Sequence, residues 1–302
     1  MELTENIEQE RKPWLKLIVV LAYIFLFGLL TALSSGGDIK LNMEDANVLN
    51  LLKFAQTIGV ILLFILPAVL FSVFWTKQKI HYLGVTVKPA LSTALIAGAG
   101  MLLAMPMINW LAELNAQMHL PAALSGIETW MKNSEAEAAQ LTEAFTKGTS
   151  VGVLIINLIV IALMAALSEE IFFRGIVQKI LLDCSKNKHL AVWIGAALFS
   201  AFHMQFYGFV PRMLMGAYLG YLFLWSGSLW PGIIAHFANN GMAVYLVWLS
   251  NRGTISVDAD KIGTDGNEWV YVMISTMMVV SSMILIYRSE RRRKQEIVNT
   301  NI

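Results

Sequence analysis

VGVLIINLIVIALMAALSEEIFFRG, residues 151–175, is the stretch on which the fold turns. Residues 151–168 carry no charged side chain. At 1.5 Å per residue such a run climbs ~27 Å, close to the ~30 Å hydrocarbon thickness of a bilayer. A helix of that kind crosses a membrane. Its far end sets Glu169 beside Glu170 and follows them with Arg174, all three among apolar neighbours. An ionisable residue within a span costs roughly 2.5–3.5 kcal/mol on insertion scales, so such residues face a cavity, pair with one another or carry chemistry.

Working outward, similar apolar blocks lie near 14–34, 51–75, 91–112, 189–206, 210–225, 229–250 and 269–287. The expected fold is therefore all-α, a polytopic membrane helical bundle of about eight transmembrane helices. The composition agrees, because 57% hydrophobic and 14% charged residues would leave a soluble chain too little polar surface to cover itself. A net charge of +1 supplies no global field, so no nucleic acid partner is expected. A single cysteine, Cys184, excludes an internal disulfide framework and a multi-cysteine metal cluster. Any metal must then be held by histidine with carboxylate or amide oxygen. The inverted repeats of many transporters are not visible.

Charge assigns the sides. Arg11, Lys12 and Lys16 precede the first span, Lys77, Lys79 and Lys88 follow the second, Lys179, Lys186 and Lys188 follow the fourth, and Arg288, Arg291, Arg292, Arg293 and Lys294 follow the last. All fall on one side if every block crosses. The other side carries Asp38, Glu44, Asp45, Glu128, Glu135, Glu137, Glu143, Asp258, Asp260 and Asp265. The positive-inside rule then makes both termini cytoplasmic in a multi-pass protein of the cell (plasma) membrane. The block Trp14 to Leu33 is read as a retained helix in spite of Ala32-Leu33-Ser34, because Glu2, Glu5, Glu8 and Glu10 precede it. Segment 120–150 mixes Ile127, Trp130, Met131, Leu141 and Phe145 with charged residues at near-helical spacing. It lies on the membrane surface, packs on the external ends of the bundle, or is an ordinary solvated connecting helix.

Helical spacing separates the two glutamates. Glu170 and Arg174 stand i, i+4 with the acid first, the favourable order for an ion pair. Glu169 points about 100° away, so a partner must come from elsewhere in the fold. That asymmetry suits Glu169 for general-base chemistry and Glu170 with Arg174 for structure. The candidate partners are His203, after Phe199-Ser200-Ala201-Phe202, and His236, with Asn240 one helical turn beyond it. Two imidazoles, a carboxylate and an amide make either a divalent metal site on Glu169, His203, His236 and Asn240 or an organic set of base and oxyanion donors. Counting from the helix ends, Glu169 lies ~27 Å from the external start of its helix, while His203 and His236 lie ~21 Å and ~10 Å from the cytoplasmic starts of theirs. All three can meet in the inner half of the membrane. Gly216 and Gly220 read as a close-packing pair, Arg212 as an interfacial anchor, and Trp225 and Trp230 as interface residues.

The ordered set Glu169-Glu170-x-x-x-Arg174, Phe199-x-x-x-His203 and His236-x-x-x-Asn240 resembles the motifs of the CAAX protease and bacteriocin-processing (CPBP, Abi) family of intramembrane metalloproteases. The resemblance covers roughly residues 150–250. It implies a type II CAAX prenyl endopeptidase-like hydrolase, acting on a membrane-associated or lipidated protein or peptide. Glu169 and His203 would activate water, His236 and Asn240 would bind a metal such as zinc or stabilise the oxyanion, and Glu170 and Arg174 would hold the first helix. The chain then divides into a cytoplasmic tail (1–13), N-terminal transmembrane helices with an external loop (14–149), a CPBP-type catalytic helical core (150–250), and an external loop, last helix and basic cytoplasmic tail (251–302). Membrane lipid and a peptide or protein substrate are the expected partners. A cavity open to the cytoplasm and laterally to lipid is expected to admit water. Two other function classes compete: a non-catalytic immunity or scaffold protein, and a proton-coupled transporter.

Overall fold

Every regular element in the computed structural model is helical among the residues it describes, which are 13–34, 42–255, 261, 262, 264 and 269–300. The tail residues 1–12 and the acidic positions Asp38, Asp258, Asp260 and Asp265 lie outside the described residues. In chain order the main helices are α1 (Pro13–Ser34), α2 (Ala46–Trp75), α3 (Leu91–Leu103), α4 (Met105–Ala116), α5 (Ser125–Thr146), α6 (Val151–Ser185), α7 (Lys188–Phe202), α8 (Phe209–Ser226), α9 (Trp230–Asn251) and α10 (Trp269–Thr300).

Four of these, α2, α6, α9 and α10, are long and apolar enough to cross a membrane. α3 and α4 make a fifth span, bent by 46°. The bend falls where Pro106 opens α4, since proline withdraws an amide donor and its ring clashes with the preceding turn. The shorter helices α1, α7 and α8 complete a bundle of about eight, as expected.

α2 and α6 are not regular throughout. α2 widens to a π-turn at Ile61–Ile65, just before Pro67, and α6 does so at Leu158–Leu163 and Phe173–Val177. The last of these turns contains Arg174, and π-turns often accompany functional positions. α6 starts on Ser150, whose hydroxyl accepts the Val153 amide hydrogen, and α7 starts on Asn187, whose side chain accepts from His189 and Leu190. Caps of this kind contribute about 1 kcal/mol each.

α7 is shorter than its apolar block. The expected span 189–206 ends at Phe202, and His203 stands just beyond the helix, followed by Met204 in the left-handed region at φ 54°. The chain then makes a loop and one turn of 3-10 helix, Phe206–Gly208, before returning as α8. α5 packs on the bundle instead of standing free in solvent. Trp130 lies 5.5 Å from the Phe206 ring, the Glu135 carboxylate accepts the Tyr207 amide hydrogen, and Asn157 and Asn251 donate to the Phe145 and Thr146 carbonyls.

The core behind α6 is aromatic. Phe64 of α2 meets Phe172 edge-on at 5.5 Å, and Phe173 meets Phe199 of α7 at 5.2 Å. On the other flank, α8 approaches α6 and α7 through Gly216 and Gly220. A Cβ at Gly216 would lie 3.2 Å from the Ala196 Cα, and one at Gly220 would lie 2.9 Å from the Gln178 Oε1. The absence of a side chain at both positions permits that approach, which is the close packing expected of this pair.

Candidate active site

The residues singled out in three separate sequence blocks converge where α6, the end of α7 and α9 meet. Glu170 is fully buried, and its Oε1 accepts from Arg174 Nη1 at 2.8 Å. The i, i+4 pair expected from spacing is therefore formed. Arg174 also donates to the Gly216 carbonyl at 2.9 Å and lies over the Phe199 ring, with its guanidinium carbon 4.6 Å from the centroid. A buried guanidinium needs such partners, because an unanswered charge in a low-dielectric interior is strongly destabilising.

The same Glu170 oxygen meets His236 Nδ1 at 3.1 Å. Because this carboxylate is paired with Arg174 and only accepts, Nδ1 carries the hydrogen and the lone pair of His236 sits on Nε2. His203 Nδ1 meets the Phe199 carbonyl at 2.9 Å, an acceptor as well, so its lone pair is also on Nε2. Both lone pairs turn toward Glu169, whose Oε2 lies 3.7 Å from His203 Nε2 and 3.9 Å from His236 Nε2. These distances are too long for direct hydrogen bonds. Glu169 Oε2 is buried without a hydrogen-bond partner. The partners missing from its own helix thus come from α9 and the end of α7, as the spacing required. Side-chain exposure grades across the group, from 2% at His236 through 13% at Glu169 to 27% at His203, so the site opens on the His203 side.

Asn240, one turn along α9 from His236, accepts at Oδ1 from Asn239 Nδ2 at 3.1 Å, which leaves its own amide hydrogens and one Oδ1 lone pair to offer. Zinc ligands at ~2.0–2.1 Å stand ~3.3 Å apart in a tetrahedral site. The donor chemistry of Glu169, His203 and His236 fits such an ion, with spacing a few tenths of an ångström too wide for a closed site. Among the described residues no group of three His, Cys, Asp or Glu side chains stands at metal-holding spacing.

Several contributors are absent from the sequence reading. Gln178 donates to the Gly220 carbonyl at 3.0 Å and repeats, one turn on, the Arg174 bond to Gly216. The i, i+4 match between 174/178 and 216/220 was the available signal. Gly232 of α9 lies against Glu170, where a Cβ would be 2.9 Å from Oε2. Asn115 of α4 braces the His203 loop by donating to the Phe206 carbonyl at 3.2 Å and accepting the Val210 amide hydrogen at 2.8 Å. Arg212 folds back to donate to the carbonyl and side-chain oxygen of Gln205, at 3.3 and 2.5 Å. The physical reason is the turn after α7, which brings Gln205 within reach of the first turn of α8.

The loop that begins at His203 is held by Asn115 of α4 and by Trp130 and Glu135 of α5, the segment that the charge pattern puts outside.

Comparison with known proteins bears on this same region. Residues 151–242 match the family model described as type II CAAX prenyl endopeptidase Rce1-like. The uncharacterized protein YpbD of Bacillus subtilis (strain 168) is 28% identical over 85 residues, 27% of this chain. The chain spans 40% of the length of that curated relative. No solved structure matches. The resemblance read from the three motifs is borne out over the stretch that contains them.

Proposed function

We propose that this chain is an intramembrane endopeptidase that hydrolyses a peptide bond of a membrane-associated or lipidated protein or peptide. The observation that carries the reading is the geometry at Glu169: a buried carboxylate oxygen without a hydrogen-bond partner, faced by two imidazole nitrogens whose tautomers leave their lone pairs toward it. The family match over residues 151–242 supports the same chemistry.

In this mechanism water enters beside His203, the most exposed member, and His203 Nε2 accepts one of its hydrogens while Glu169 takes the other as a proton. The resulting hydroxide adds to the scissile carbonyl carbon. The Asn240 amide donates to the developing oxyanion. Glu169 then passes its proton to the leaving nitrogen as the C–N bond breaks, giving a carboxylic acid and an amine. His236 stays oriented by Glu170, which Arg174 neutralises, so the pair acts through position. Where a divalent metal such as zinc is bound, Glu169, His203, His236 and Asn240 would hold it, and it would polarise the carbonyl. The protein is proposed to lie in the plasma membrane with both termini cytoplasmic.

The test is cleavage of a membrane-anchored peptide by purified protein in proteoliposomes, comparing wild type with Glu169→Ala and His203→Ala. Both variants are expected to lose cleavage while folding normally. Undiminished cleavage by both overturns the mechanism. Flux driven by a pH gradient with no cleavage would replace it with a transporter. Elemental analysis before and after chelation, read beside activity, decides the metal.

A further inference from the structure

Away from Glu169, two adjoining spaces lie along α8 and α10. One is an apolar cavity of about 190 Å³ whose walls include Met101, Trp193, Met215, Tyr218, Tyr221 and Met283. The other is an open groove between the start of α7, the end of α8 and the last turns of α10, lined by Lys188, His189, Trp225, Tyr287, Arg291 and Lys294. Tyr221, on the cavity wall, and Trp225, in the groove, stand between them. The Tyr221 hydroxyl on the cavity wall is 2.8 Å from His189 Nδ1 in the groove, and Trp225 packs 5.3 Å from the Tyr221 ring and 5.4 Å from Tyr287.

Three of the groove's four Lys, Arg and Glu side chains are cations. Lys188, Arg291 and Lys294 are exposed and have no ion-pair partner among the described residues. The groove's acid, Glu290, is buried; its Oε1 accepts from the Thr93 hydroxyl at 2.6 Å, and its Oε2, without a hydrogen-bond partner, lies 3.4 Å from Arg293 Nη1. Arg293 is itself turned away to the Lys88 carbonyl. The cations that remain face open space on the side the charge pattern makes cytoplasmic, where inner-leaflet anionic lipid attracts basic residues.

A positive groove beside an apolar cavity matches a ligand that has an anionic head and a hydrocarbon tail. A soluble anion has no use for the cavity, and a zwitterionic lipid has little use for three unpaired cations. We infer that this is a binding site for an anionic phospholipid, with the phosphate-bearing head on Lys188, Arg291 and Lys294 and part of an acyl chain in the cavity. Ala217 and Tyr218 of α8 line that cavity, while the neighbouring Gly216 accepts from Arg174. The lipid therefore braces the helix that supports the buried ion pair, and the inference stands independently of the peptidase reading.

The experiment uses the full chain in mild detergent, offered phosphatidylglycerol and phosphatidylcholine in equal amounts, with retained lipid counted by native mass spectrometry. One phosphatidylglycerol is expected per chain, in preference to phosphatidylcholine. The variant Lys188→Gln/Arg291→Gln/Lys294→Gln, changed only at exposed positions, should weaken its retention roughly tenfold or more. Leu214→Trp, which fills the cavity, should reduce retention with the cations intact. Thermal stability should rise with phosphatidylglycerol and not with inorganic phosphate or glycerol phosphate. Equal retention of the two lipids, retention unchanged in the triple variant, or stabilisation by phosphate alone equal to that by phosphatidylglycerol would each overturn the inference.

Discussion

Two adjacent glutamates on α6 should respond oppositely to loss of charge. Glu170 Oε1 takes hydrogen bonds from Arg174 at 2.8 Å and His236 at 3.1 Å, in a pair only 1% and 3% exposed. Hydrogen bonds to charged groups contribute roughly 1.5–3 kcal/mol each, and removing one member of a buried ion pair costs about 3–5 kcal/mol because the survivor stays buried. Glu170→Gln keeps an acceptor oxygen but strands the guanidinium, so a loss near the lower end, about 3 kcal/mol, is expected. Glu170→Ala should approach about 5 kcal/mol. Glu169 Oε2 has no hydrogen bond to lose. Glu169→Gln removes an uncompensated buried charge and should leave stability unchanged or raise it by ~1 kcal/mol, while cleavage falls by ~100-fold or more. Reversible unfolding in mixed micelles reads the first quantity, and peptide cleavage the second. Equal destabilisation by the two glutamine variants, or a Glu170→Gln protein within ~1 kcal/mol of wild type, would refute the division of roles.

Other outcomes follow from single contacts. Gly232→Ala should destabilise by ~1–3 kcal/mol and lower cleavage, because its Cβ would press on the Glu170 Oε2 that a pinned side chain cannot withdraw; unfolding and activity measured together check this. Asn115→Ala leaves the Phe206 carbonyl and Val210 amide without their side-chain partner, costing ~1–3 kcal/mol and making the His203 loop more accessible to limited proteolysis. On α5, the Glu128 carboxylate is held down at about 2 by hydrogen bonds from Lys132 and His119. A carboxylate depressed on folding stabilises above its ordinary value of 4.5 and loses that contribution as pH falls toward 2. Proteolytic protection of α5 should therefore decline across that window in wild type, and Glu128→Gln should abolish that dependence.

The membrane bundle was legible because its signal is local and additive. A run such as residues 151–168 must find a bilayer whatever surrounds it. The Glu170–Arg174 pair was equally legible, since helical geometry alone brings i and i+4 together. The bend before Pro106 and the end of α7 at Phe202 were not, because apolar content does not distinguish a straight helix from one that bends or stops short. The Arg212 contact was not legible for a related reason: its partner Gln205 lies across a turn whose path depends on Asn115, far away in the chain.

Sequence alone thus determined that the chain is a helical membrane bundle and which side chains are too costly to be buried idly. Only the tertiary structure decided how they meet. The lone pairs of His203 and His236 point at Glu169 because the Phe199 carbonyl and the Glu170 carboxylate hold their other nitrogens, and such orientation exists only once α6, α7 and α9 are packed together.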